Sequence, residues 1–117
     1  MPIISIIGDN LINLDCHDKI AQAVAVISEL EITTQDVTVI GVPSNGADKH
    51  SAYGKIVIAK IEGLFEKQER NEAVRQRLAE AVGQVLKNKY PKAKIEVFIT
   101  SFNPNQGFWM HTPGQDS

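Results

Sequence analysis

The sequence predicts an α/β domain in which two tandem β-α-β units form a four-stranded sheet with two helices on one face. Three observations predict it. Short β-branched apolar runs alternate with longer stretches of helical periodicity. The order strand–helix–strand is written twice, over residues 1–43 and 55–103, with a loop at 44–54 between the units and a tail at 104–117. The 117 residues amount to one domain, so both units are expected to share one core.

The first strand is Ile3–Ile7, IISII, apolar nearly throughout and therefore expected to be buried on both faces. Gly8, Asp9 and Asn10 end it. The first helix is HDKIAQAVAVISEL, where Ile20, Val24, Ile27 and Leu30 recur at helical spacing and Asp15 or Asp18 can cap the start. TTQD breaks that pattern, and Val37–Val42 is the second strand, stopped by Pro43. The polar, glycine-containing stretch up to Gly54 is a loop. The third strand runs from Lys55 to Phe65. The second helix covers Arg70–Lys89, with Val74, Leu78, Ala81, Val82, Val85 and Leu86 as its apolar stripe and Pro91 beyond its end. The fourth strand is KIEVFITSF, with Ile95, Val97 and Ile99 facing one way and Glu96, Phe98, Thr100 and Phe102 the other.

Each unit reads as a parallel crossover with its helix packed on the sheet. Both helices then cover one sheet face and leave the other bare. Because the bare face carries apolar residues, it is expected to bury itself against further copies of the chain.

Composition narrows the function. A net charge of -2 supplies no basic footprint for nucleic acid. The apolar runs are too short to span a bilayer, and the start has neither a basic region nor a small-residue cleavage site, so neither membrane nor export is expected. The single cysteine, Cys16, reads as core packing; a chain without a disulfide suits the cytoplasm. No histidine pair or cysteine cluster has metal-ligand spacing, and no phosphate loop or dinucleotide fingerprint is present. No metal and no cofactor are expected.

One position carries chemistry. Pro2 follows the initiator methionine at the head of an apolar strand. With Met1 removed, its nitrogen becomes a secondary amine. Free α-amino groups titrate near ~7.7–8.0. Apolar surroundings lower that value towards what a general base needs at neutral pH. As an ordinary residue, Pro2 is simply the start of a strand.

Met-Pro, an apolar strand and two β-α-β units together resemble the tautomerase superfamily in its long, two-unit form, including its inhibitory-factor and dehalogenase branches. The stretch LFEKQERNEAV, with Phe65 and Lys67, is similar to a bacterial branch in which a strand runs into Phe-x-Arg-x-Gln before the second helix. The resemblance implies a homotrimer, and it implies that Pro2 moves a proton on an enolisable, anionic carbonyl compound. It also implies that Lys67 and Arg70, three residues apart after the third strand, hold the anion, as an arginine pair does in dehalogenase-like members. Lysine lacks the bidentate fork of arginine.

Phe102, Phe108 and Trp109 are expected to wall the proline with apolar surface, from the same or a neighbouring subunit. His111 sits beside them, and His50 and Tyr53 lie in the loop; all three read as ordinary polar residues. Other positions depart from the family pattern. Ile32 stands where the inhibitory-factor branch has a lysine, and Phe98 and Thr100 stand where it has a tyrosine and an asparagine. The only tail acid is Asp116, against the water-activating carboxylate of the dehalogenases. The expectation is a cofactor-free tautomerase or isomerase. The alternative is a non-enzymatic trimeric binding protein of the same fold.

Overall fold

The computed structural model of the chain describes residues 2–8, 14–43 and 54–114. Four strands, β1 (Ile3–Ile7), β2 (Thr38–Val42), β3 (Ile56–Phe65) and β4 (Lys94–Phe102), form one sheet in the order β2-β1-β3-β4. The strands within each unit are parallel, β1 with β2 and β3 with β4. The two units meet through an antiparallel β1–β3 pair, with Ser5 opposite Lys60. Two helices, α1 (Leu14–Ala25) and α2 (Glu72–Lys89), pack on each other and on the same sheet face. This is the α/β architecture expected from the sequence.

The core lies between that face and the helices. Ile4 and Ile6 of β1 meet Val57, Ala59 and Ile61 of β3 beneath Ile20 and Val24 of α1 and Leu78 and Val82 of α2. Cys16 is buried in the same cluster. Ile95, Val97 and Ile99 pack against it from β4, so the expected alternation of that strand holds. Within one chain β1 is buried on one face only: Ile4 and Ile6 are inside, while Ile3 is 42% exposed.

The first helix differs from the sequence reading. It ends at Ala25, and Ser28–Leu30 is a short 3-10 turn. Ile27 and Leu30 are buried as their spacing implied. An i, i+3 apolar pair fits both helix types, so spacing alone does not separate them. A second 3-10 turn, Thr34–Asp36, is fixed by a capping box: Asp36 Oδ2 accepts from the Thr33 N–H at 2.9 Å and from the Thr33 hydroxyl at 3.0 Å.

The second helix starts at Glu72, because Asn71 caps it by accepting the Val74 N–H at 3.0 Å. Residues 67–70 therefore form a turn ahead of the helix, closed by the Arg70 N–H donating to the Lys67 carbonyl at 3.0 Å. Lys87 and Lys89 complement the negative end of the helix.

β3 carries a bulge. Its pairing with β4 shifts between Ile61 and Leu64, and Gly63 has φ of 73°. Strict alternation would send Phe65 under the helices with Ile61. The extra residue instead buries Leu64 and pairs Phe65 with Phe102.

Candidate functional site

The cleft begins where β1 starts. Pro2 is buried, and its carbonyl accepts the Thr38 N–H at 3.1 Å, which ties it to β2. The segment after the first 3-10 turn passes alongside, and so does the turn that follows β3. Together they enclose a cleft of about 170 Å³ lined by Pro2, Glu31, Ile32, Asp36, Phe65, Lys67 and Arg70. Three of the sequence-derived site residues, Pro2, Lys67 and Arg70, thus share one cavity. Lys67 and Arg70 neighbour each other through the closed turn, not the helical turn expected from their spacing.

Arg70 is only 7% exposed. Its Nη1 donates to the Phe65 carbonyl at 2.7 Å, and its Nη2 donates to the Leu30 carbonyl at 2.7 Å. It therefore clasps the end of β3 to the first 3-10 turn, joining two walls of the cleft. Its Nε has no hydrogen-bond partner among the described residues. Burial lowers the guanidinium pKa, and the carboxylates of Glu31 and Glu69 act against that shift. A second arginine supports the same turn from α2, where Arg77 pairs with Glu29. Lys67 is exposed at the cleft rim.

Glu31 and Asp36 are cleft residues that the sequence reading did not find, whereas Ile32 stands at a position that the resemblance had already marked. Glu31 adopts a left-handed conformation, φ 54° and ψ 41°, and its N–H donates to the Ser28 carbonyl at 3.1 Å. Such a backbone costs a non-glycine residue about 1–2 kcal/mol. Ile32 is buried and gives the cleft an apolar wall at the position aligned with the lysine of the inhibitory-factor branch. The Thr33 backbone and hydroxyl bonds hold the Asp36 carboxyl below the usual carboxylate range, so it is an anion at neutral pH.

The aromatic residues divide. Phe108 packs edge-on against Phe65, with ring centroids 4.9 Å apart, and Phe102 lies against it at 6.3 Å. Only Phe65 lines the cleft; Phe102 and Phe108 stand behind it. Trp109 is 85% exposed and stacks over His111 at 6.5 Å, away from the cleft lining of a single chain. Met1, His50, Tyr53 and Asp116 lie outside the described residues. Among the described residues no group of three His, Cys, Asp or Glu side chains could hold a metal ion, and no helix is long and apolar enough to cross a membrane.

No protein-family model and no curated protein matches the sequence. Solved structures do match. The structure of Pt0534 inactivated by 2-oxo-3-pentynoate superposes with a TM-score of 0.65 at 14% identity, over 96% of this chain and 92% of that one. A fused 4-OT wild type symmetric trimer superposes at 0.66 and 13% identity, over 90% and 91%. The macrophage migration inhibitory factor-like protein of Entamoeba histolytica superposes at 0.61 and 16% identity, over 95% and 96%. The fold is therefore the tautomerase-like fold that the sequence resemblance implied.

Proposed function

We propose that the chain is a cofactor-free tautomerase or isomerase of the tautomerase superfamily, acting in the cytoplasm as a homotrimer, with Pro2 as its general base. One observation carries this reading: buried Pro2 lines the same small cleft as Lys67 and Arg70. Removal of Met1 would make the Pro2 nitrogen a secondary amine. Burial beside Ile32 and Phe65 disfavours its charged form, which leaves a neutral base at physiological pH.

The base takes a proton from the carbon next to the substrate carbonyl. The negative charge that develops on the enolate oxygen is stabilised by the cations of the cleft. The protonated amine then returns the proton to another atom of the enolate, so the substrate is isomerised and the enzyme is restored. Lys67 and Arg70 also hold the anionic group. Phe65, backed by Phe102 and Phe108, excludes water, and Trp109 contributes through a neighbouring subunit.

The test begins with the intact mass of protein purified untagged from cells that make it natively. A mass lacking methionine is expected. 2-Oxo-3-pentynoate, the compound by which Pt0534 was inactivated, should then label Pro2 faster than any lysine. A variant carrying one residue before Pro2 should lose both labelling and activity towards enolisable carboxylates. A retained Met1, or full activity in the extended protein, overturns the mechanism.

A second reading has its own support. Both terminal nitrogens of Arg70 are committed to backbone carbonyls, and Ile32 supplies no charge. A trimer that binds a small anion without chemistry would show saturable binding and no Pro2 adduct.

A further inference from the structure

The sheet face opposite the helices is apolar over much of its area, yet its strands place charged side chains on it. Lys60 of β3 stands in register between Ser5 of β1 and Phe98 of β4. One row along, Glu62 stands opposite Ile3. On the other side of the Lys60 row, Glu96 stands opposite Ile58, and Lys94 follows at the end of the face. These charges are not equivalent. Lys94 and Glu96 pair within the chain at 3.7 Å. Lys60 and Glu62 are both exposed, and neither side chain has a hydrogen bond or an ion pair among the described residues.

Their surroundings make this matter. Ile3, Ile40 and Phe98 lie in the same two rows and are 42%, 45% and 52% exposed. Whatever covers those side chains also takes Lys60 out of water. An ammonium group buried without a carboxylate is strongly destabilising. Glu62 of the same chain is two residues along the same strand, a rise of roughly 7 Å, and does not pair with it. A second copy of the chain supplies what is missing, because the face carries one unmatched charge of each sign and is complementary to itself. In a closed cyclic assembly every copy gives its Lys60 to one neighbour and receives a lysine on its Glu62 from the other, so no charge is left over.

We infer that Lys60 and Glu62 form the ion pair that registers one copy on the next, the Lys60 ammonium of one chain meeting the Glu62 carboxylate of its neighbour. This rests on the assembly in the proposed function and is independent of the chemistry at Pro2. The apolar side chains supply area but accept many alignments. The ion pair selects one, since a slip of a row sets Lys60 against an apolar side chain and leaves both charges unmatched.

The test is sedimentation velocity of the full chain over a range of concentrations, with far-ultraviolet circular dichroism to show that each variant is folded. Lys60→Glu sets two carboxylates against each other, and Glu62→Lys sets two ammonium groups together. Each should raise the concentration of half-dissociation about tenfold or more. The double variant Lys60→Glu/Glu62→Lys reverses the pair and should return to within about threefold of the wild type. Lys60→Glu/Glu96→Lys should stay dissociated like Lys60→Glu. Single reversals that assemble as the wild type does overturn the inference. So does a double variant no better than the worse single one, or a rescue by Glu96→Lys in place of Glu62→Lys. The outcomes separate from those of the proposed function. A wild type that is a single chain at every concentration sinks this inference and the homotrimer together and assigns the face to a different protein. An oligomer indifferent to both reversals sinks this inference alone, and an assembled protein without a Pro2 adduct sinks the catalytic reading alone.

Discussion

Arg70 does two things at the residue scale, and they can be told apart. Its two terminal nitrogens donate to the Phe65 and Leu30 carbonyls. Arg70→Met would leave both carbonyls unpaired in a buried place, at a cost of about 2–4 kcal/mol. Arg70→Lys keeps a charge but not the planar fork, so it should recover only part of that loss. Lys67→Met removes an exposed charge and should change stability by less than about 0.5 kcal/mol while weakening anion binding. Urea unfolding of the three variants, at an unchanged m-value, makes the comparison. An Arg70→Met protein as stable as the wild type would show that the clasp is idle. The sequence made Lys67 and Arg70 legible as two cations three residues apart after a strand. It could not reveal that Arg70 is buried, because the carbonyl that completes its burial belongs to Leu30, in the other β-α-β unit. Glu31 and Asp36 were illegible for the same reason: they reach the cleft only when two units pair through β1 and β3.

At the scale of elements, periodicity carried most of the reading. The four buried residues of α2, Val74, Leu78, Val82 and Leu86, are i, i+4 neighbours, and α2 falls close to its expected position. The 3-10 turns escaped because their apolar spacing mimics a helix. The bulge left one signal, a glycine interrupting an alternating strand at Ile61-Glu62-Gly63-Leu64. That signal has a structural consequence. Gly63 at φ 73° absorbs the extra residue, and Phe65 is thereby paired with Phe102 and placed against Phe108. Gly63→Ala puts a Cβ on a left-handed backbone and should cost about 1–2 kcal/mol. It should also disturb the Phe65 ring, so near-ultraviolet circular dichroism should change along with the unfolding midpoint. A Gly63→Ala protein with wild-type stability and spectrum would mean that the bulge is not needed to set Phe65.

For the whole molecule, the bare sheet face is the largest feature a single chain leaves unresolved. The residues opposite the helices include Ile3, Ile40, Val42 and Phe98, all large and 38% to 52% exposed. Ile40, Ser5, Lys60 and Phe98 are in register across the four strands, so the apolar residues flank one polar and one charged position in the middle. A face of this kind is expected to be covered, and burying the exposed half of Ile40 and Phe98 would stabilise the assembly by about 1 kcal/mol per side chain. Burial of Lys60 is tolerable only if its charge is paired or stays hydrated. Trp109, the one tryptophan of the sequence, gives a reporter for this. It is exposed in one chain, and in the proposed trimer it meets a neighbouring subunit. Its emission should therefore be blue-shifted at high protein concentration and move to the red on dilution. Phe98→Asp places a charge on the apolar face without touching the cleft lining. It should lower the sedimentation coefficient to that of a single chain, leave the helical far-ultraviolet signal in place, and give the red-shifted emission at every concentration. If Phe98→Asp sediments as the wild type does, the bare face is not the contact between copies. If the oligomer dissociates while Trp109 emission stays constant, the sheet face assembles the protein and the tail takes no part in the neighbouring site.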